Sequence, residues 1–216
     1  MRLVLILVLM LGLGPAVAAE APAPVILVWG DSLSAAHGIP LESGWVQLLQ
    51  KRLVQNGYPH RVVNGSVTGE TTAGGLARLP AALKQHRPAL VLIELGGNDG
   101  LRGLPLKQLR ANLHAMVART RAAGAQALVF EMQMPPNYGA AYTQGFAQSF
   151  AQAAQQGPAR LVSFFLAPIA TDMKWFQEDG IHPTAAAQPQ LVDAVWPTLR
   201  RALNPPLKAA PAPQRK

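Results

Sequence analysis

The sequence predicts an α/β protein, a parallel sheet covered on both faces by helices. Three observations carry this. Short apolar runs alternate along the chain with longer stretches at helical period. The runs are continuous rather than alternating, as in strands buried on both faces. Polar loops rich in Gly, Asn and Pro follow the first four runs. Strand–helix alternation of this kind builds right-handed βαβ units.

Taken in order, the strands are expected at 25–29, 61–64, 89–95, 125–130 and 159–165. The third run is interrupted only by Glu94. Helices are expected at 44–56, 72–86, 106–123, 140–156 and 185–203. A helix is also expected to begin at or soon after Ser32, aiming free backbone N–H groups at the loop before it. The loops after the first four strands gather at one sheet edge, where ligands of open α/β sheets bind.

The flanks read differently. Residues 1–19 have the form of a secretory leader: Arg2, an apolar stretch over 3–13, then Ala16, Ala18 and Ala19. Cleavage is expected after Ala18 or Ala19, giving an exported, periplasmic or secreted protein. The alternative is an uncleaved anchor, although the apolar stretch is short for a bilayer span. Residues 20–24 form an Ala/Pro linker, 25–203 the folded domain, and 204–216 a basic, flexible Pro/Ala-rich tail.

Composition excludes several chemistries. There is no cysteine, so thiolate metal sites, cysteine nucleophiles, disulfides and an N-terminal lipidated cysteine are all absent. The formal charge is +8, but the basic residues are scattered and not interleaved with aromatics. That argues against nucleic acid and leaves a weak attraction to anionic membrane surfaces. The protein is expected to be a monomer that takes a small-molecule substrate.

Four short segments carry chemistry. Gly30-Asp31-Ser32-Leu33-Ser34 places a serine directly after the first strand. Alone, Ser32 is better explained as a helix cap. Asp179-Gly180-Ile181-His182-Pro183 changes the balance. Pro183 biases His182 away from helical geometry and suits the first turn of the last helix. The Asp179 carboxylate can fold back to accept the Nδ1 proton of His182, leaving Nε2 to face Ser32. An isolated D-x-x-H, however, is most often an ordinary surface pair.

Gly69, in Asn64-Gly65-Ser66-Val67-Thr68-Gly69, and Asn98, in a Gly96-Gly97-Asn98-Asp99 turn, can supply oxyanion donors together with the N–H of Ser32. Ordinary turn chemistry also explains both residues. Asp31 and Asp99 read as loop-bracing carboxylates. His37, His60, His86 and His114 read as surface or structural, with His60 in a solvated loop. Leu101, Leu104, Met134, Pro135, Tyr138 and Ile181 can line an apolar acyl groove or simply pack their loops.

These four segments, in this order, resemble the SGNH (GDSL-type) hydrolase family. The strings at 95–103 and 134–139 further resemble its periplasmic subgroup of acyl-CoA thioesterases, lysophospholipases and arylesterases. The resemblance implies a flavodoxin-like, three-layer α/β/α fold with a five-stranded parallel sheet. It implies a Ser32–His182–Asp179 triad, an oxyanion hole of Ser32, Gly69 and Asn98, and hydrolysis of esters or thioesters without a cofactor. Glu70 stands where the subgroup more usually has Asp, and Gly65 where Ala is common. Neither is expected to touch the catalytic groups.

Two rivals are weaker. A metal-dependent phosphoesterase needs several His and Asp ligands, and Leu33 stands where an Asp-x-His pair would need histidine. A non-enzymatic flavodoxin-like binding protein would cradle phosphate in the first loop, where Asp31 repels an anion. A classical α/β-hydrolase is disfavoured by the lack of a Gly-x-Ser-x-Gly elbow.

Overall fold

The computed structural model describes residues 22–155 and 159–203. The expected leader, the first two linker residues, residue 156 and the tail lie outside the described residues.

Five strands form one parallel sheet: β1 Val25–Gly30, β2 Arg61–Asn64, β3 Leu90–Glu94, β4 Gln126–Phe130 and β5 Arg160–Val162, in the order β2-β1-β3-β4-β5. This is the flavodoxin-like order, and its switch point lies between β1 and β3. The three-layer α/β/α architecture is therefore as expected.

Burial follows position in the sheet. All of β1 and β3 is buried, as their unbroken apolar sequences require. The edge strand β2 is half-buried. The other edge, β5, is much shorter than expected. The run continues through Phe165, which is fully buried, but as loop. A continuous apolar run shows burial and does not by itself show strand.

Among the described residues there are six α-helices: α1 Trp45–Gln55, α2 Thr72–His86, α3 Gly97–Leu101, α4 Leu106–Ala122, α5 Ala140–Gln155 and α6 Gln188–Ala202. α1 packs on α6, while α4 packs on both α2 and α5. The Thr71 side chain caps α2 by accepting the N–H of Gly74. Among the described residues no helix is long and apolar enough to cross a membrane.

Three local expectations are corrected. No helix follows Ser32: residues 32–38 form tight turns, with Ala36 at φ +58°, and the first α-helix waits until Trp45. The Gly-Gly-Asn-Asp segment is not a simple turn but opens the short helix α3. Pro183 does not start the last helix. It pairs with Phe176 in an isolated antiparallel bridge, a 3-10 turn follows at Ala185–Ala187, and α6 begins at Gln188.

Candidate active site

The site is assembled at the C-terminal ends of β1, β2 and β3. Gly30 ends β1 where a side chain would collide with the sheet's own carboxyl group: a Cβ there would lie 2.5 Å from Glu94 Oε2. The turn after it is tight. Ala35 N–H donates to Asp31 O at 2.9 Å and His37 N–H to Ser32 O at 3.2 Å. Ser32 is only 8% exposed, and it lines a cavity of about 580 Å³.

Glu94, the one interruption of the β3 run, lies fully buried beneath this turn. Ser34 Oγ donates to its Oε2 at 2.5 Å, and Asp31 N–H approaches the same oxygen at 3.4 Å. Burial, with the Asp31 charge adding to it, holds the Glu94 carboxyl well above the ordinary range. Asp31 is itself pushed up to about 6 by burial. Its hydrogen bonds offset that only in part. Oδ1 accepts Leu33 N–H at 3.1 Å, and Oδ2 accepts Asn98 Nδ2 at 3.1 Å. Asp99 also braces its loop as expected, accepting Thr72 N–H at 2.8 Å and Thr72 Oγ1 at 2.5 Å.

His182 reaches Ser32 across the cavity rim, with Nε2 2.8 Å from Ser32 Oγ. Its Nδ1 lies 2.6 Å from Asp179 Oδ2, so Nδ1–H donates to the carboxylate and Nε2 is left as acceptor. Asp179 Oδ1 also accepts the N–H groups of Ile181 at 2.8 Å and His182 at 2.9 Å. The backbone N–H of His182, then its ring, then the N–H of Ile181 hold the Asp179 carboxyl far below its ordinary value. The pair sits in a loop. Gln177 N–H donates to His182 O at 2.7 Å, and Gln177 Nε2 donates to His37 O at 2.8 Å and Pro183 O at 3.2 Å.

The three donor candidates follow neighbouring strands, Ser32 and Gly69 on loops and Asn98 in α3. Among the described residues, neither Ser32 N–H nor Gly69 N–H has a protein acceptor. Asn98 spends one amide hydrogen on Asp31, which fixes the orientation of the other. Val67 N–H donates to Gly30 O at 3.1 Å, tying the Gly69 loop to the serine turn. Gly69 adopts φ +77°, a region that other residues occupy only with strain. Gly69 is not part of the cavity wall, whereas Ser32 and Asn98 are.

Of the apolar residues expected to line a groove, Leu101, Met134, Pro135 and Ile181 do so. Leu104 and Tyr138 do not. Leu104 N–H closes the end of α3 on Asp99 O, and Tyr138 stacks on Tyr142 with its hydroxyl on Leu101 O. Their places are taken by Phe164, Leu166, Ala170, Met173 and Phe176, from the segment between β5 and the His182 turn. The only hint of this wall was an apolar stretch running on past Phe165 to Ile169, too long for an edge strand.

One expectation for a histidine is corrected. His60 is buried, not solvated, and burial lowers its pKa. His37 packs its ring against His182, with centroids 4.4 Å apart. Its position five residues after Ser32 was the available signal. Among the described residues no group of three or more His, Asp and Glu side chains could hold a metal ion.

Residues 28–188 match the GDSL-like Lipase/Acylhydrolase family. The chain is 53% identical to Esterase TesA of Pseudomonas aeruginosa over 175 residues, which is 81% of this chain and 87% of that protein. It is 39% identical to Thioesterase 1/protease 1/lysophospholipase L1 of Escherichia coli (strain K12) over 179 residues, 83% of this chain and 85% of that one. Among solved structures it resembles the psychrotrophic esterase EstA from Pseudoalteromonas sp., inhibited by monoethylphosphonate. That match has a TM-score of 0.79 and 42% identity, and covers 82% of this chain and 97% of that one.

Proposed function

This chain belongs to the GDSL-like lipase/acylhydrolase family, and from that premise we propose that Ser32, His182 and Asp179 hydrolyse carboxylic esters and acyl thioesters. The chain is a serine hydrolase acting on ester bonds. The observation that carries the residue assignment is the unbroken relay from Ser32 Oγ to His182 Nε2 and from His182 Nδ1 to Asp179.

Ser32 Oγ attacks the carbonyl carbon as His182 Nε2 takes its proton. The Asp179 carboxylate stabilises the imidazolium. The N–H groups of Ser32 and Gly69 and the Asn98 amide receive the oxyanion. His182 then protonates the leaving alcohol or thiol. Water, activated by the same histidine, releases the acyl group and restores Ser32. The cavity beside Ser32 is mostly apolar and takes the acyl chain.

The physiological form is an exported monomer with peripheral attraction to anionic membrane and no nucleic-acid partner. Mass measurement of the exported protein tests the leader, because an intact Met1 contradicts cleavage.

A fluorophosphonate probe followed by peptide mapping tests the nucleophile. The label is expected on Ser32, and Ser32→Ala is expected to fold, remain unlabelled and lose nearly all turnover. A label elsewhere, or near-normal turnover in that variant, overturns the assignment.

A further inference from the structure

The loop that carries Gly69 is closed at its base by one guanidinium. Arg78 projects from α2. Its Nε donates to Glu70 Oε2 at 2.6 Å, and its Nη1 donates to Gly65 O at 3.3 Å. Gly65 and Glu70 are the two ends of the loop, so the Arg78 fork spans its opening. The guanidinium also lies over the indole of Trp29, with Cζ 4.2 Å from the ring centroid. Trp29 is buried on β1, and its Nε1 donates to Gly75 O on α2 at 3.0 Å. The fork is thus fixed on its face as well as at its edge. Lysine reproduces neither the fork nor the stacked plane.

Glu70 is held from a second side. Its Oε1 accepts the N–H of Thr71 at 3.1 Å. A Cβ at Gly74 would collide with that same oxygen, so the glycine makes room for the carboxylate. The Glu70 side chain is 12% exposed, which shields its pair with Arg78 from full solvent screening. Gly69 itself is pinned through its carbonyl, which accepts Arg102 Nη2 at 3.1 Å. Glu70, expected to touch no catalytic group, spends its carboxylate on Thr71 and Arg78 and is itself the residue next to a proposed oxyanion donor.

We propose that Arg78 and Glu70 are positioning residues that brace the 65–70 loop so that the Gly69 N–H faces the developing oxyanion. This rests on Gly69 being a donor, as proposed above. Neither side chain is in the cavity wall, so both act through the backbone. A donor held in advance stabilises charge that exists only in the transition state. Loosening it therefore lowers kcat and leaves KM almost unchanged.

The test compares Arg78→Lys, Glu70→Gln, Gly69→Ala and the double variant Gly69→Ala/Arg78→Lys on a p-nitrophenyl ester, with thermal melting of each. Arg78→Lys is expected to lower kcat about ten-fold and change KM by less than about two-fold. Glu70→Gln keeps the Thr71 contact and the Trp29 stack, and is expected to lower kcat about three-fold. A Cβ at Gly69 meets only Arg102 Nη2 at 3.7 Å, so Gly69→Ala strains the backbone without a clash. If Arg78 acts through that N–H, the double variant is no slower than Gly69→Ala alone.

Wild-type turnover in Gly69→Ala removes the donor and overturns the proposal with it. A slow Gly69→Ala beside a fully active Arg78→Lys, or losses that multiply in the double variant, overturns the brace alone. Should Arg78→Lys fail to fold, Glu70→Gln decides, and unchanged turnover there refutes the proposal.

Discussion

Ser32 and Asn98 are set at the ends of buried strands, whereas His182 and Asp179 hang on a loop between β5 and α6 with little regular structure. The 2.8 Å hydrogen bond between His182 and Ser32 joins the two sides. Their carboxylates show the difference in physical terms. Asp31 is 2% exposed, and burial raises it to about 6. Asp179 is exposed, and its accepted hydrogen bonds hold it far down. One side is organised by the sheet, which forces polar groups into low dielectric. The other is organised by a local turn in which a single carboxylate collects three donors. Burial and hydrogen bonding shift a carboxyl in opposite directions, and here each dominates one half of the same site.

The largest effect is expected from breaking the exposed half. Asp179→Asn keeps the size of the side chain but no longer fixes the His182 tautomer. Its turnover is expected to fall on the order of 10³–10⁴-fold, measured as kcat at neutral pH. A loss below ten-fold would show that the turn alone orients His182.

Next comes the buried half. Asn98→Ala removes a proposed oxyanion donor and is expected to lower kcat on the order of 10²–10³-fold with little change in KM. An unchanged kcat would remove Asn98 from the site.

Gln177 is the link between the halves, because it binds the carbonyls of both His37 and Pro183. Gln177→Ala is expected to lower kcat about three- to ten-fold. A loss appearing only in KM would mean that the link shapes the substrate mouth and not the relay.

The smallest effect is on stability. Asp31 has a folded pKa above its unfolded one, so the native state holds the extra proton. Its contribution is fully present below the usual carboxylate value and lost as pH rises from about 4 to 6. In Asp31→Asn this loss should vanish, changing the denaturation free-energy difference between pH 4 and pH 6 by on the order of 2 kcal/mol. Asp179 has the opposite sign: its contribution is present above the usual carboxylate value and lost as pH falls below it. An identical pH dependence in wild type and Asp31→Asn would deny that burial governs Asp31.

Much of this was legible in the sequence because it is local. Asp179 and His182 are three residues apart, and the turn between them needs only Gly180 and the following proline. The Gly-Asp-Ser segment could be placed because it directly follows an apolar run. The wall formed by Phe164, Leu166 and Met173 was not legible, since an apolar run reports burial without saying against what. Leu104 and Tyr138 were misplaced for the converse reason: a loop residue near the site can spend its contacts on its own loop.

What the sequence by itself determined was the alternation of elements, the parallel sheet and the chemical identity of each group at its C-terminal edge. Periodicity and short-range turn chemistry suffice for these. What only the tertiary structure decided was environment. The burial of Ser32, the neutralising pressure on Glu94 and Asp31, and the seating of Arg78 on Trp29 all join residues far apart in the chain. Desolvation and long-range hydrogen bonding depend on what packs nearby in space, which no local pattern encodes.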